Sequence, residues 1–346
     1  MEQTSGSGDR ARYANMTREE RLREFEGTII MHPHLMAVIQ ACCEVIREPS
    51  GILLVFVCGP VGVGKNIIKN HVTKFIVAEI SSALQESSER VPVLSTIARP
   101  PLNGSFSWKD FLQSSLLALE QSPMAPKNAF DANEDKENAS LTHSDQDWVQ
   151  QRSPGRTNDN ALRISLETAI KRHRPAAVII DDAQYLGKVS VRRQLQDQLD
   201  CIRALAEITE TVHILIGTYE MLSLYTMSPR LIRRSLMLHF TRYSTTTEEL
   251  LQFKRVLSTF QELLPFEEET DVLLKHLDFC YERSLGCVGI LHTMLVRAVH
   301  AALRANEKTL SQKYLVQYAL SKAECDAMMQ EVNEGEKEWA HFRSDM

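Results

Sequence analysis

The sequence predicts an α/β protein in which a parallel β-sheet is followed by a helical addition on the C-terminal side. Three observations predict it. Short apolar runs that read as strands alternate with amphipathic helical stretches, a glycine-rich loop joins the first of those strands to a helix, and from Thr246 onward the pattern is helical throughout. Strands separated by helices give parallel neighbours with crossover connections, and a helices-only stretch packs as a layer of its own.

In chain order, residues 1–15 are polar and Gly/Ser-containing, an expected disordered start. Thr17 to Glu20 reads T-x-x-E, a capping box that satisfies orphan amides at a helix start, and the short helix after it alternates Arg18, Arg21 and Arg23 with Glu19, Glu20 and Glu24, as a solvated helix does. Leu35 to Ile46 is an apolar helical stretch that ends near Pro49. Ile52 to Cys58 (ILLVFVC) is continuously apolar and suits a strand buried on both faces. Val91–Ile97, Ala176–Ile180 and His213–Ile216 are three further strand candidates. Helices are expected over Trp108–Leu119, Ala161–Arg172 and Val191–Glu207, then near 247–263, 269–281, 287–304 and 310–331. Residues 121–160 are rich in Ser, Asn, Asp and Pro without periodicity and read as a flexible insertion. The expected organisation is a nucleotide-binding domain over 16–245, a helical part over 246–331 and an acidic tail over 332–346, whose solvated-helix and partner-binding readings both stay open.

Composition excludes several classes. With 43% hydrophobic and 24% charged residues, the 346-residue chain can build a core and is not globally disordered. Thirty-nine Lys+Arg against 45 Asp+Glu give a net charge of −6, which excludes a uniformly basic nucleic-acid coat but leaves room for a local basic track. Seven cysteines, none in a C-x-x-C pair, indicate neither a disulfide framework nor a zinc ribbon. No apolar run reaches the roughly 18 residues of a membrane span and the N-terminus is too polar for a signal peptide, so the expectation is a reduced, soluble, cytoplasmic protein with no membrane partner.

The chemistry begins at Gly59-Pro60-Val61-Gly62-Val63-Gly64-Lys65-Asn66. This is G-x-x-x-x-G-K between a strand and a helix, the context that a phosphate loop requires. Glycines let backbone N–H groups converge on phosphate oxygens, the helix N-terminus adds a partial positive charge, and Lys65 reaches the β- and γ-phosphates. A phosphate loop ends in Ser or Thr, whose hydroxyl ligates Mg²⁺. Here the position holds Asn66, whose amide oxygen is the available cation ligand, so nucleotide binding is better supported than efficient hydrolysis.

Val178-Ile179-Ile180-Asp181-Asp182 places carboxylates at the end of a buried strand. Asp181 fits a water-mediated Mg²⁺ ligand, and Asp182 stands where a Glu would polarise the attacking water. Its carboxylate sits about 1.5 Å further back, and misplacement of ~1 Å costs about 10²-fold in rate. The alternative is a pair of carboxylates capping the next helix. Thr218, after the fourth apolar run, is placed to orient that water, although many strands end in a Gly-Thr turn. Arg233 and Arg234 are candidates to stabilise a transferring phosphoryl group from a neighbouring subunit, with a salt-bridged basic helix as the alternative.

GPVGVGKN, VIIDDAQYL, HILIGTYEML, RLIRRS…HFTRY and GCVGIL, in that order and spacing, resemble the AAA+ ATPases of the transposon-regulator family TniB/TnsC over roughly residues 17–331, apart from the 121–160 insertion. The resemblance implies an AAA+ core with a C-terminal helical lid, ATP and Mg²⁺ as cofactors, and an ATP-dependent homo-oligomer, ring or helical filament, on double-stranded DNA. It implies a relay between a target-selector protein and a transposase. It also places Lys109, and Arg156-Thr157, near positions that contact the DNA backbone, where each is equally a solvated charge by itself. The departures are Asn66, Asp182 and the lack of an arginine in Gly286–Leu291, where many lids of this class carry one. They point to an ATPase of low activity. Two competing readings stand beside it: a nucleotide-locked, non-hydrolysing DNA-binding adaptor, and an AAA+ loader or remodeller outside transposition.

Overall fold

The computed structural model describes residues 13, 15–81, 91–102, 104–120, 159–188, 192–226, 232–268 and 270–344. Most of the expected disordered start and nearly all of the 121–160 insertion lie outside the described residues. The chain divides into two compact units. One comprises residues up to Val38, Gly59–Ile68 and His239 onward; the other comprises Ile39–Cys58 and Lys69–Leu238.

The second unit is built on a parallel sheet. Its strands are β1 (Leu54–Cys58), β2 (Val93–Ile97), β3 (Ala177–Asp181), β4 (Val212–Gly217) and β5 (Ser235–His239), in the order β2-β3-β4-β1-β5. β1 pairs with β4, β4 with β3 and β3 with β2, all parallel, with Cys58 opposite Gly217 and Ile97 opposite Asp181. β1, β3 and β4 are buried at every position. That is why their sequences are continuous apolar runs rather than alternating ones. Between these strands run α4 (Trp108–Glu120), α5 (Asp159–His173), α6 (Arg192–Thr209) and the short α7 (Met221–Thr226). The strand expectations hold to within two residues. β5 was not anticipated. Its five residues are all half-buried, so S-L-M-L-H carries no strong apolar signal, and only its place beside β1 makes it a strand.

The first unit is helical. α1 (Arg18–Glu26) starts with the anticipated capping box: Glu20 N–H donates to Thr17 Oγ1 at 3.2 Å and Thr17 N–H donates to Glu20 Oε2 at 2.8 Å. Its one buried residue, Phe25, packs against Phe260 and His292, with centroids 6.4 and 6.3 Å apart, so the helix is anchored rather than fully solvated. α2 (Pro33–Arg47) and α3 (Lys65–Ser81) each begin in this unit and continue into the other. α8 (Thr247–Glu262), α9 (Val272–Lys275), α10 (Leu277–Ser284), α11 (Val288–Arg304), α12 (Gln312–Tyr318) and α13 (Lys322–Ser344) follow. Their core includes Tyr243, Phe253, Phe260, Leu291 and Leu295, each at most 1% exposed.

The expected single helix over 310–331 is broken after Tyr318. A second capping box restarts the chain: Ser321 N–H donates to Glu324 Oε2 at 2.7 Å and Glu324 N–H to Ser321 Oγ at 3.2 Å. α13 then runs unbroken through residue 331, so no element ends where the acidic tail was expected to begin. It packs rather than floats: Val332 is buried, Trp339 lies 4.3 Å from the His239 ring, and Glu336 takes two hydrogen bonds from Arg242, at 2.9 and 3.0 Å. All seven cysteines are free thiols and six are buried. Among the described residues no single helix is long and apolar enough to cross a membrane.

Two testable expectations follow from buried polar groups. His213 on β4 is fully buried, donates its Nδ1–H to Thr211 O (2.8 Å), and is pushed down to about 4 by desolvation. Its neutral form is favoured in the fold, so stability is complete above the ordinary histidine value and is lost as pH falls from there toward 4. His213→Leu should remove about 2 kcal/mol of the stability lost between pH 7 and 5, read by denaturant unfolding at both pH values. Arg242 and Glu336 have side chains only 12% and 30% exposed. Glu336→Ala should therefore cost about 1–3 kcal/mol, since it strands a sheltered guanidinium, and the same unfolding curve measures it.

Candidate nucleotide-binding site

The phosphate loop belongs to the first unit and the acidic strand end to the second. The loop leaves β1 at Gly59 and enters α3 at Lys65. Gly62 and Gly64 have φ of +81° and +106°, a region that residues with a Cβ avoid. The Lys65 ammonium donates to Gly59 O at 2.8 Å and Pro60 O at 2.7 Å, so it is held on the loop's own carbonyls. Val61 and Asn66 are exposed, and Val63 is buried.

The helical segment GCVGIL meets the loop. Ile290 N–H, at the start of α11, donates to Gly62 O at 3.1 Å. A Cβ on Gly289 would lie 2.5 Å from Gly62 O and 3.2 Å from Gly64 N, so only glycine fits there. This segment brings backbone against backbone. Cys287, just before the helix, is buried and its thiol is pushed up to about 12 by desolvation, so it stays protonated.

In the second unit, Asp181 ends β3 with 9% exposure. Its Oδ1 accepts the Asp182 N–H at 3.0 Å, and its Oδ2 lies 3.6 Å from the Lys69 ammonium, one helical turn after Lys65. Asp182 is exposed and left-handed, φ +53°. It does not cap the following 3₁₀ turn, Ala183–Gly187, with its side chain. Its Oδ1 instead accepts Gln184 Nε2 at 3.2 Å, and Gln184 Oε1 accepts the Thr218 N–H at 3.3 Å. One glutamine amide thus ties Asp182 to the end of β4. The Thr218 hydroxyl is buried and makes no hydrogen bond to the described residues.

The other expected residues sit as follows. Arg233 and Arg234 are exposed in the turn before β5, and Arg234 pairs with Glu207 at 3.4 Å. Lys109 is half-exposed in the first turn of α4. Its neighbour Trp108 packs edge-on to Phe106 and Phe111, 5.5 and 5.7 Å away. Arg156 and Thr157 lie outside the described residues. Sequence reasoning missed the roles of Gln184, Gly289 and Lys69. None of the three carried a readable signal, because each role depends on a partner far away in the chain.

The residues present fit a phosphate: a loop with two left-handed glycines, a lysine amine at its mouth and a helix N-terminus. On the loop, position 66 offers an exposed amide in place of the hydroxyl that usually ligates Mg²⁺. In the other unit, the strand-end carboxylate of Asp181 faces the Lys69 ammonium.

A parallel sheet carrying this loop after its first strand defines a P-loop nucleotide-binding protein. A family model described as an AAA domain matches residues 48–224, just over half of the chain, and the chain belongs to that family, with an AAA+ ATPase fold. Solved structures agree on the fold. The ORC1 protein of Aeropyrum pernix, in complex with DNA, is 16% identical with a TM-score of 0.54, covering 87% of this chain and 68% of that one. The ORC2 protein of the same organism, in ADPNP–ADP complexes, is 14% identical at 0.52, covering 91% and 71%. Cdc6p of Pyrobaculum aerophilum is 11% identical at 0.51, covering 86% and 71%. No curated protein matches the chain.

The tight seat of Gly289 sets the sign of a substitution. In an open helix Gly→Ala stabilises by up to about 1 kcal/mol. Gly289→Ala should instead destabilise by about 1–3 kcal/mol, because the new Cβ meets a backbone oxygen. Urea unfolding of the two proteins reads it, and a stabilised variant would show that the loop yields freely.

Proposed function

We propose that this protein is an AAA+ transposition regulator of the TniB/TnsC kind, which binds ATP, assembles as a homo-oligomer on double-stranded DNA and links a target selector to a transposase. The single observation that carries the nucleotide step is the loop geometry: left-handed Gly62 and Gly64, and Lys65 drawn onto the loop carbonyls. Backbone amides freed by such a loop bind phosphate oxygens, and Lys65 supplies the compensating charge. Support for DNA is indirect: one protein of similar fold is described in complex with DNA. Lys109 is the described residue proposed to meet the phosphate backbone, and Arg156 and Thr157 are proposed to join it.

Hydrolysis is slow in this reading. Asp182 would place the attacking water, Thr218 would sense it, and Arg233 or Arg234 would act from the next subunit. Gln184 Nε2 donates to Asp182 Oδ1, so one oxygen of that carboxylate is already engaged within the chain. ATP therefore serves chiefly as an assembly ligand.

A second reading, a loader or remodeller outside transposition, is favoured by the fold likeness to ORC1, ORC2 and Cdc6p. Association with a transposase separates the two. For the first reading, sedimentation with ATP and duplex DNA should show a species many times heavier than the monomer, and Lys65→Ala should leave the protein monomeric. A wild-type monomer under saturating ATP and DNA overturns it.

A further inference from the structure

Within the helical unit, the segment His239–Tyr243 is a strap fixed to the phosphate loop. Near one end, a Cβ on Gly59 would lie 2.1 Å from Phe240 O. At the other end, Tyr243 N–H donates to Gly286 O at 3.0 Å, and Gly286 leads into Gly289 and Ile290, which close on Gly62. One face of α13 grips this strap. Val332, Glu336 and Trp339 share a side of the helix by their spacing. Val332 is buried, Trp339 lies on the His239 ring, and Glu336 takes both Nε and Nη2 of Arg242. The third nitrogen, Nη1, donates to Leu285 O at 3.4 Å. Gly286–Leu291 holds no arginine of its own, and Arg242 brings one to its edge. A guanidinium fork that clasps a carboxylate at two points presents the same geometry to a phosphate. The pair also lies close to the loop's lysine. Burial dominates at the Cys287 thiol, and after it the thiol feels Arg242, Lys65 and Glu336 together.

We propose that α13 is an autoinhibitory helix: the Glu336 carboxylate occupies the Arg242 guanidinium in place of a nucleotide phosphate, so docking of α13 and binding of ATP oppose one another. The inference rests on the nucleotide-binding reading above, and every residue in it belongs to the unit that carries the loop. The physical content is competition between two anions for one cation. With α13 docked, Glu336 cancels the charge of Arg242 and adds a negative charge near an incoming phosphate. With α13 released, that repulsion is gone and Arg242 is a phosphate ligand. Linkage makes the effect reciprocal: ATP loosens α13 by the factor with which docked α13 weakens ATP. Release also bares Val332 and Trp339, the apolar part of the docked face.

The test is a titration of the full chain with a fluorescent ATP analogue. Glu336→Gln keeps the side chain's shape and removes its charge, and should tighten binding by about fivefold or more even as it lowers stability. Trp339→Ala loosens the helix at its other contact without changing any charge at the site, and should tighten binding as well. The double variant Arg242→Met/Glu336→Gln should lose the gain. A pair that only supports the fold predicts weaker binding in every variant. Circular dichroism melts confirm which variants fold, and either single variant suffices. A folded Glu336→Gln or Trp339→Ala protein that binds no more tightly than wild type overturns the inference and leaves the nucleotide reading intact, as does a gain that survives in the double variant. No binding by wild type or any variant overturns both.

Discussion

A loop whose backbone amides must converge on a phosphate cannot be held in shape by its own side chains, because those would fill the cradle. In this protein the loop is fixed by neighbouring backbone instead. Ile290 N–H donates to the Gly62 carbonyl, and Gly289 approaches so closely that a methyl group would meet it at 2.5 Å. On the other side, a Cβ on Gly59 would lie 2.1 Å from Phe240 O. The helical unit therefore includes the phosphate loop as part of its own packing. The start of α11, Tyr243 with its His32 contact at 3.1 Å, and the Arg242–Glu336 pair all belong to that same unit. Backbone contact of this kind tolerates no side chain at all, which is a sharper constraint than apolar packing, where volume-conserving swaps are accepted.

The acidic end of β3 follows a different logic. Its two carboxylates have separate partners and therefore separate chemistry. Asp181 is sheltered and paired with Lys69, while Asp182 is exposed, left-handed and tied through Gln184 to Thr218. The Asp-Asp dipeptide looks symmetrical in sequence but is not so in space, because successive strand residues face opposite sides and the chain turns at the second. Gln184 is the residue that converts two strand ends into one rigid arrangement, and its amide can do so because it donates at one end and accepts at the other.

The sequence by itself determined the parallel sheet, since strands buried on both faces must be continuously apolar: LVFVC, AVIID and VHILIG are found where runs of that kind were read. It determined the phosphate loop, whose glycines and lysine act through local backbone geometry, and the first capping box, which is complete within four residues. The second box, Ser321-x-x-Glu324, was equally local and was hidden only because the helical periodicity on either side ran together. What the sequence could not fix are properties set by residues far apart in the chain. β5 is a strand because it lies beside β1, not because its half-buried residues demand it. Gly289 is constrained by a loop more than two hundred positions earlier. The acidic tail is a docked helix because Glu336 finds Arg242 and Trp339 finds His239. Lys69 reads as one more helical lysine until the end of β3 brings a carboxylate to it. Periodicity, glycine placement and capping are short-range and therefore written in order along the chain. Charge partners and steric limits depend on which distant segments the fold brings together, and only the tertiary structure decides those.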